Sequence, residues 1–308
     1  MIKDSYTVGK IKHRERLTTM LLRYPRFIHA EFMTHRVFSR SASSSRAVSI
    51  EKLIQDVLDD TAMPIHWGKN QPGMQAKEEH NEDVVMRLLW DNMTDTPYTH
   101  LGEHMRHTRT AAWFHARDMA IEAARAFATA GYHKQIVNRL LEPFGHINVL
   151  VSSTEWDNFF ELRDHSDAQP EIRALAVAMK ECMAASEPWP LIHGQWHLPF
   201  IGERDYDEAK TAPNETLGTD LTGISTLIKV SIARCARLSY KTNIGSSVNL
   251  AADLKLYERL VVQVPVHASP AEHQGTPLRI LGYNPDDMCG NFSGFIQCRK
   301  MIEASMFK

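Results

Sequence analysis

Apolar residues recur along this chain with two periods. At Ile50, Leu53, Ile54, Val57 and Leu58 they return every three or four positions, which marks one face of a helix over 50–60, with Ser49 placed to cap it. At Ile147, Val149 and Val151 they alternate, which favours a strand over 146–152. Residues 16–23 (RLTTMLLR) also read as a short strand, and Pro25 then suits the first position of a helix running to about Arg36. Phe27, Ile28, Glu31, Phe32 and His35 fall on one side of that helix. The face is apolar but carries a carboxylate and an imidazole one turn apart. A core helix whose polar groups reach its rim explains this as well as a site does.

Further helices are expected over 82–93 and 108–130, the second ended by Gly131. Thr154 and Asp157 open a helix to about Arg163, and Pro170 opens another with Ile172, Leu175, Ala176 and Met179 on one face. Residues 61–80 hold Pro, Gly and Asn and read as a loop. Residues 186–220 read as a long connection, followed by helices around 222–240 and 249–262 and a turn-rich tail ending in a short helix. There is no internal repeat. Many helices with a minority of strands place the fold in the α+β class, helix-rich, with an antiparallel or mixed sheet.

Composition narrows the picture only slightly. The chain has 308 residues, 43% hydrophobic and 23% charged, with net charge −2. Those totals disfavour a disordered chain, a rod or a disulfide scaffold, and no global field draws the protein to nucleic acid or membrane. Four cysteines, none in a C-x-x-C pair, suit a reducing compartment. The N-terminus lacks a signal-peptide core, and no run approaches about 20 apolar residues. A cytoplasmic protein is expected.

Three polar clusters could carry chemistry. Residues 34–46 (THRVFSRSASSSR) hold Arg36, Arg40 and Arg46 among five serines, a composition suited to an anion cradle or to a solvated linker. Residues 158–172 (NFFELRDHSDAQPEI) end an aromatic helix at Arg163, where the macrodipole accounts for the charges but leaves Asn158 and Gln169 unexplained. His100, His104 and His107 have helical spacing but are not H-E-x-x-H, so hydrogen-bonded histidines are favoured over a metal. G-x-G-x-x-G, the Walker A loop and G-x-S-x-G are absent.

The stretch 25–46 resembles the signature of the flavin-dependent thymidylate synthases: R-H-R, two residues, S, one residue, N-E, one residue, S, one residue, R. His35, Arg36, Ser39, Ser44 and Arg46 match in register, while Thr34 replaces the first Arg and Ser41-Ala42 replace Asn-Glu. R139-L-L-E-P143 is similar to the family's R-x-x-L-P segment, and N158-F-F-E-L-R163 with A168-Q-P-E-I172 to its helix pair. R234-C-A-R-L-S239-Y, D253-LKLYERLV and H267-A-S-P-A-E-H273 resemble motifs that open family members, yet here they follow the rest. The resemblance thus implies a circular permutation in one domain spanning 1–308. In it, 16–185 match the family's later part, 222–275 its N-terminal part, and 186–221 connect them.

The resemblance implies FAD-dependent methylation of dUMP at C5 to dTMP, with methylenetetrahydrofolate and NADPH as co-substrates, in a homotetramer. It gives Arg163 the catalytic role of polarising the pyrimidine. It gives Glu31 (in place of a Gln), Ser44, Arg46 and Arg139 to the nucleotide, and His35, Arg36, Ser39, Asn158, Ser239 and His273 to the flavin. No cysteine nucleophile, metal, nucleic acid or membrane is implied. The departures at Thr34 and Ala42 leave open another pyrimidine (UMP or dCMP), a hydroxymethyl product, or a catalytically degenerate nucleotide-binding homologue. Arg40 could compensate for Thr34. The stretch W67-G-K-N-Q-P-G-M74 reads equally as a folate or nucleotide loop and as a packed surface loop.

Overall fold

A computed structural model describes residues 1–8, 15–87, 104–211, 224–238, 249–262, 267–278 and 286–306. Its centre is a five-stranded mixed sheet. The strands are β1 (Lys3–Thr7), β2 (Arg16–Pro25), β3 (Ser39–Ala42), β6 (His146–Ser153) and β7 (Trp189–Leu191), in the order β3-β6-β2-β1-β7. All neighbours are antiparallel except β1 and β7. The strand expected over 16–23 is present and longer. Pro25 closes it, paired with His146, instead of opening a helix. The helix is accordingly short: a 3-10 turn Arg26–Ile28 and α1 (His29–Met33).

The helix expected over 50–60 is α2 (Ile50–Asp59), with the Ser49 hydroxyl accepting from the Lys52 amide. Part of the helix expected over 82–93 is instead β4 (Val84–Arg87), paired with β5 (His104–His107). Two β-branched residues opening that segment suit a ladder better than a helix, and the remainder lies outside the described residues. Next come α3 (Arg109–Thr129), α4 (Lys134–Val137), α5 (Asp157–Arg163) and α6 (Pro170–Ala184). Gly131, at φ +86, ends α3 as expected. After β7 come α7 (Glu203–Thr211), α8 (Ile224–Arg237), α9 (Leu250–Tyr257), the paired β8 (Gly275–Pro277) and β9 (Phe295–Gln297), and α10 (Cys298–Met306). No described helix is long and apolar enough to cross a membrane.

Alternation along the strands gives the sheet two unlike faces. One carries Met20, Leu22, Tyr24, Ile147, Val149 and Val151 and buries them against Phe32, Phe38, Trp156, Phe159, Ile172 and Met179 from α1, α5, α6 and their loops. Each such side chain stabilises the fold by about 1.5–3 kcal/mol. The other face carries hydroxyls: Ser5, Thr19, Ser152, Ser39 and Ser41, all buried. Buried hydroxyls need partners, and two imidazoles from the C-terminal part supply them. His197 bridges Ser5 (3.1 Å) and Thr19 (2.8 Å), Thr19 meets Ser152 at 2.6 Å, and His273 bridges Ser152 and Ser41 at 2.9 Å each. Leu150 packs there with Cys235 and Leu238 of the α8 region.

The arginines of the 234–237 motif are committed to the fold. Arg234 binds Asp205 (2.7 Å) and Asp253 (2.9 Å), and Arg237 binds Asp253 (2.9 Å), so the fully buried Asp253 ties α8 to α9 while Asp205 ties α8 to α7.

Candidate functional site

Two clusters of charged side chains flank α1. At its C-terminal end stands Arg163, the last residue of α5. Its Nε donates to Nε2 of His35 (3.0 Å), and its Nη2 to the Thr34 hydroxyl (3.1 Å) and the Glu31 carbonyl (3.4 Å). Among described residues Nη1 has no partner. The guanidinium is therefore fixed on one side and open on the other. Arginine Nε can only donate, so Nε2 of His35 is an acceptor and the ring proton sits on Nδ1. Burial, then the charges of Arg163 and Arg40, hold the His35 pKa below its usual value. Thr34, the apparent loss in the motif, is one of the supports of Arg163. Glu31 keeps Oε2 buried without a hydrogen-bond partner among the described residues.

Arg40 does not extend this anion-binding set. Its Nη1 turns back on the end of α1 and donates to the carbonyls of Phe32 (3.3 Å), Met33 (3.2 Å) and His35 (2.9 Å). Those orphan carbonyls need a donor, and Arg40 acts as their cap rather than as a substitute for the missing arginine. Ala42 lies against the apolar core, where a carboxylate would be costly.

At the other end of α1, Glu142 is a hub. One of its oxygens accepts from Ser45 (2.7 Å), Arg139 (2.8 Å) and Arg26 (2.9 Å). Asn138 adds a hydrogen bond to the Ser45 carbonyl (2.7 Å) and another to the Val48 carbonyl (3.1 Å). The serine-rich loop is thereby clamped onto the Asn138–Phe144 turn. This brings Arg46 and Arg139, both exposed, into one neighbourhood, with Ser44 half-exposed beside them. Glu142 and Asn138 were missed as site residues. The R-x-x-E spacing of Arg139 and Glu142 was the available signal.

A cavity of about 720 Å³ opens beside Arg163's partner His35. Its walls include Trp156, Phe159, Phe160, Val37 and Met183, and its polar rim includes His35 and Asn158. Two residues expected at a flavin thus share one aromatic-walled space. Ser39 and His273 do not join them. Ser39 is fully buried and accepts from Gln297 (3.0 Å) and Asn291 (3.4 Å). His273 is fully buried with both ring nitrogens engaged by serines, and burial lowers its pKa to about 3. Arg36 is exposed and free of described partners. Ser239 lies outside the described residues.

Of the four cysteines, Cys182 is half-buried and its Sγ accepts from the N-terminal ammonium (3.2 Å). Cys235, Cys289 and Cys298 are buried, and burial pushes the Cys298 pKa up to about 12. Among described residues no group of three His, Cys, Asp or Glu side chains is arranged for a metal. His107 stacks on His115 (5.6 Å), while His100 lies outside the described residues.

A model of the family described as thymidylate synthase complementing protein matches residues 16–189. No curated protein matches. Among solved structures, the chain is similar to a UMP/dUMP methylase, PolB from Streptomyces cacaoi, bound with 5-Br dUMP. The identity is 18% and the TM-score 0.38, over 55% of this chain and 66% of that one, so slightly less than two thirds of the neighbour is spanned.

Proposed function

Since the chain belongs to the thymidylate synthase complementing protein family, whose model covers more than half of it, we propose that it methylates a pyrimidine nucleotide at C5 with a flavin, converting dUMP to dTMP. The observation that carries this reading is Arg163, held through Nε and Nη2 by His35 and Thr34 with its remaining donors open. An open guanidinium edge can stabilise negative charge as it develops on a uracil carbonyl, which is what makes C5 nucleophilic. Its support is already in place, so no reorganisation is needed when the charge appears.

The aromatic walls beside His35 and Asn158 fit a planar ring system with a few polar contacts at its rim. Bound there, reduced FAD would supply the hydride chemistry, with NADPH as reductant and methylenetetrahydrofolate as one-carbon donor. His35 would keep its Nδ1 proton for a contact outside the Arg163 bond, and Asn158 would hydrogen-bond the ring edge. Arg46, Arg139 and Ser44 would take the nucleotide phosphate. The buried oxygen of Glu31 supports a ligand N–H nearby. It also supports a second reading, the same chemistry on another pyrimidine, because an acceptor-only group suits the amino substituent of dCMP or the 2′-hydroxyl of UMP. Permutation within one domain, and a homotetramer, remain part of the proposal.

The test is spectroscopic. Purified protein titrated with FAD should bind it, and dUMP should then perturb the visible flavin bands. Asn158→Ala should weaken FAD binding. A chain that binds neither flavin nor nucleotide would refute the reading.

A further inference from the structure

Glu142 sets a negative charge among the groups assigned to the nucleotide phosphate. The segment Asn138–Phe144 that carries it is a 3-10 turn. Side chains three positions apart eclipse in such a turn, so Arg139 and Glu142 stand one above the other and pair at 2.8 Å. In the R-x-x-L-P segment that R139-L-L-E-P143 resembles, the second of these positions is a leucine. The carboxylate is therefore this chain's own addition to the motif.

One oxygen, Oε1, accepts from all three donors, and the three are not held alike. Ser45 is buried, and the Asn138 amide pins its carbonyl (2.7 Å), so its hydroxyl (2.7 Å from Oε1) stays in place. The Arg26 side chain is 20% exposed, and its backbone amide is tied to the Gly145 carbonyl (2.9 Å). The Arg139 side chain is 52% exposed. Arg139 can thus turn away while Glu142 keeps Ser45 and Arg26. An ion pair so open to water contributes little to stability, so parting it costs little.

The cations within a phosphate's reach, Arg46 and Arg139, are the exposed ones, while the carboxylate between them and the fold is fixed. A phosphate taken up by Arg139 replaces Glu142 as the partner of that guanidinium. The displaced carboxylate does not leave. It remains well inside the screening length of about 8 Å at physiological salt, and like charges at that range repel. Phosphate binding is then an exchange of one anion for another on Arg139, opposed by a charge that stays.

We infer that Glu142 is an internal placeholder for phosphate: it holds Arg139 in the free protein, yields it to the incoming nucleotide, and so weakens recognition of the phosphate without touching that of the base or sugar. The inference rests on the proposed function for the assignment of Arg46 and Arg139 to the phosphate, and on the contacts of Glu142 for the competition.

The experiment is equilibrium binding of dUMP, deoxyuridine and inorganic pyrophosphate to the full chain, as wild type and as Glu142→Gln. The amide keeps an acceptor oxygen for Ser45 and Arg26 but carries no charge. Glu142→Gln should bind dUMP and pyrophosphate about fivefold more tightly or better, through the repulsion removed, and deoxyuridine no differently. With Arg139→Ala added to both proteins, the gain should shrink, because the placeholder has nothing left to hold. Unchanged or weaker binding of both anions by Glu142→Gln overturns the inference, as do an equal gain for deoxyuridine, a gain undiminished by Arg139→Ala, and binding of neither anion by either protein. If pyrophosphate gains while dUMP binds neither protein, the placeholder stands and the proposed function falls. Should Glu142→Gln not fold, the wild type decides. Its Arg139 guanidinium NMR signal, identified by its loss in Arg139→Ala, should shift on saturation with dUMP or pyrophosphate, and a signal that stays in place overturns the inference.

Discussion

Arg163 and His35 lie 128 positions apart and meet through one hydrogen bond of 3.0 Å, Nε to Nε2. The bond exists only while His35 is neutral, because an imidazolium has no acceptor. Folding lowers the His35 pKa through burial and two arginine charges. The contribution is therefore whole above the ordinary value of 6.5 and is lost as pH falls through the lower folded value. Activity should show an acid limb below 6.5. In His35→Gln, whose amide oxygen still accepts, that limb should disappear. A pH–rate profile for both proteins checks this, and an unchanged limb in the variant would place the titration elsewhere.

Replacing Arg163 by Lys keeps the charge but loses the forked donors. Turnover should fall about 100-fold or more, the loss typical of one missing charge-stabilising donor, with little change in thermal stability. Single-turnover kinetics beside a melting curve would separate the two.

Glu142 has a different role. It accepts from Ser45, Arg139 and Arg26 at once. Glu142→Ala should destabilise the chain by about 1–3 kcal/mol, since three donors lose their acceptor. Arg139→Ala, on an exposed side chain, should leave stability within about 0.5 kcal/mol. Its nucleotide affinity should nevertheless drop at least tenfold. Urea unfolding and nucleotide titration on both variants test the division of labour.

Asp253 is fully buried between Arg234 and Arg237. Asp253→Asn should cost about 3–5 kcal/mol by leaving the half-buried Arg237 without its charge partner and Arg234 with Asp205 alone. A variant as stable as the wild type would show that these arginines find water.

His273 gives the last stability prediction. Its pKa of about 3 reflects burial of the neutral ring between Ser41 and Ser152. The contribution is complete above 6.5 and lost as pH falls through about 3. His273→Leu should reduce this acid sensitivity while lowering stability at pH 7 by about 1–3 kcal/mol, since the serine hydroxyls lose their partner. Melting curves across that range supply the check.

What could be seen in the sequence followed periodicity. The helices at 50–60 and after Pro170, the strands at 16–23 and 146–152, and Arg163 at a helix end all came from local spacing. Positions set by contacts across the chain stayed hidden. Arg40 looked like an anion ligand because its three carbonyl partners belong to a turn whose geometry spacing does not reveal. His273 looked available because nothing local shows that two strands place serines against both its nitrogens. Within the helix expected over 82–93, residues 84–87 pair as a strand with 104–107 instead.

The most direct measurement is anaerobic incubation of the purified chain with FAD, NADPH, methylenetetrahydrofolate and each of dUMP, UMP and dCMP, followed by mass analysis of the nucleotide. Consumption of dUMP to a product one methylene unit heavier, abolished in Arg163→Ala, is the predicted result. Unchanged nucleotide in every reaction from protein that has bound flavin would contradict the account.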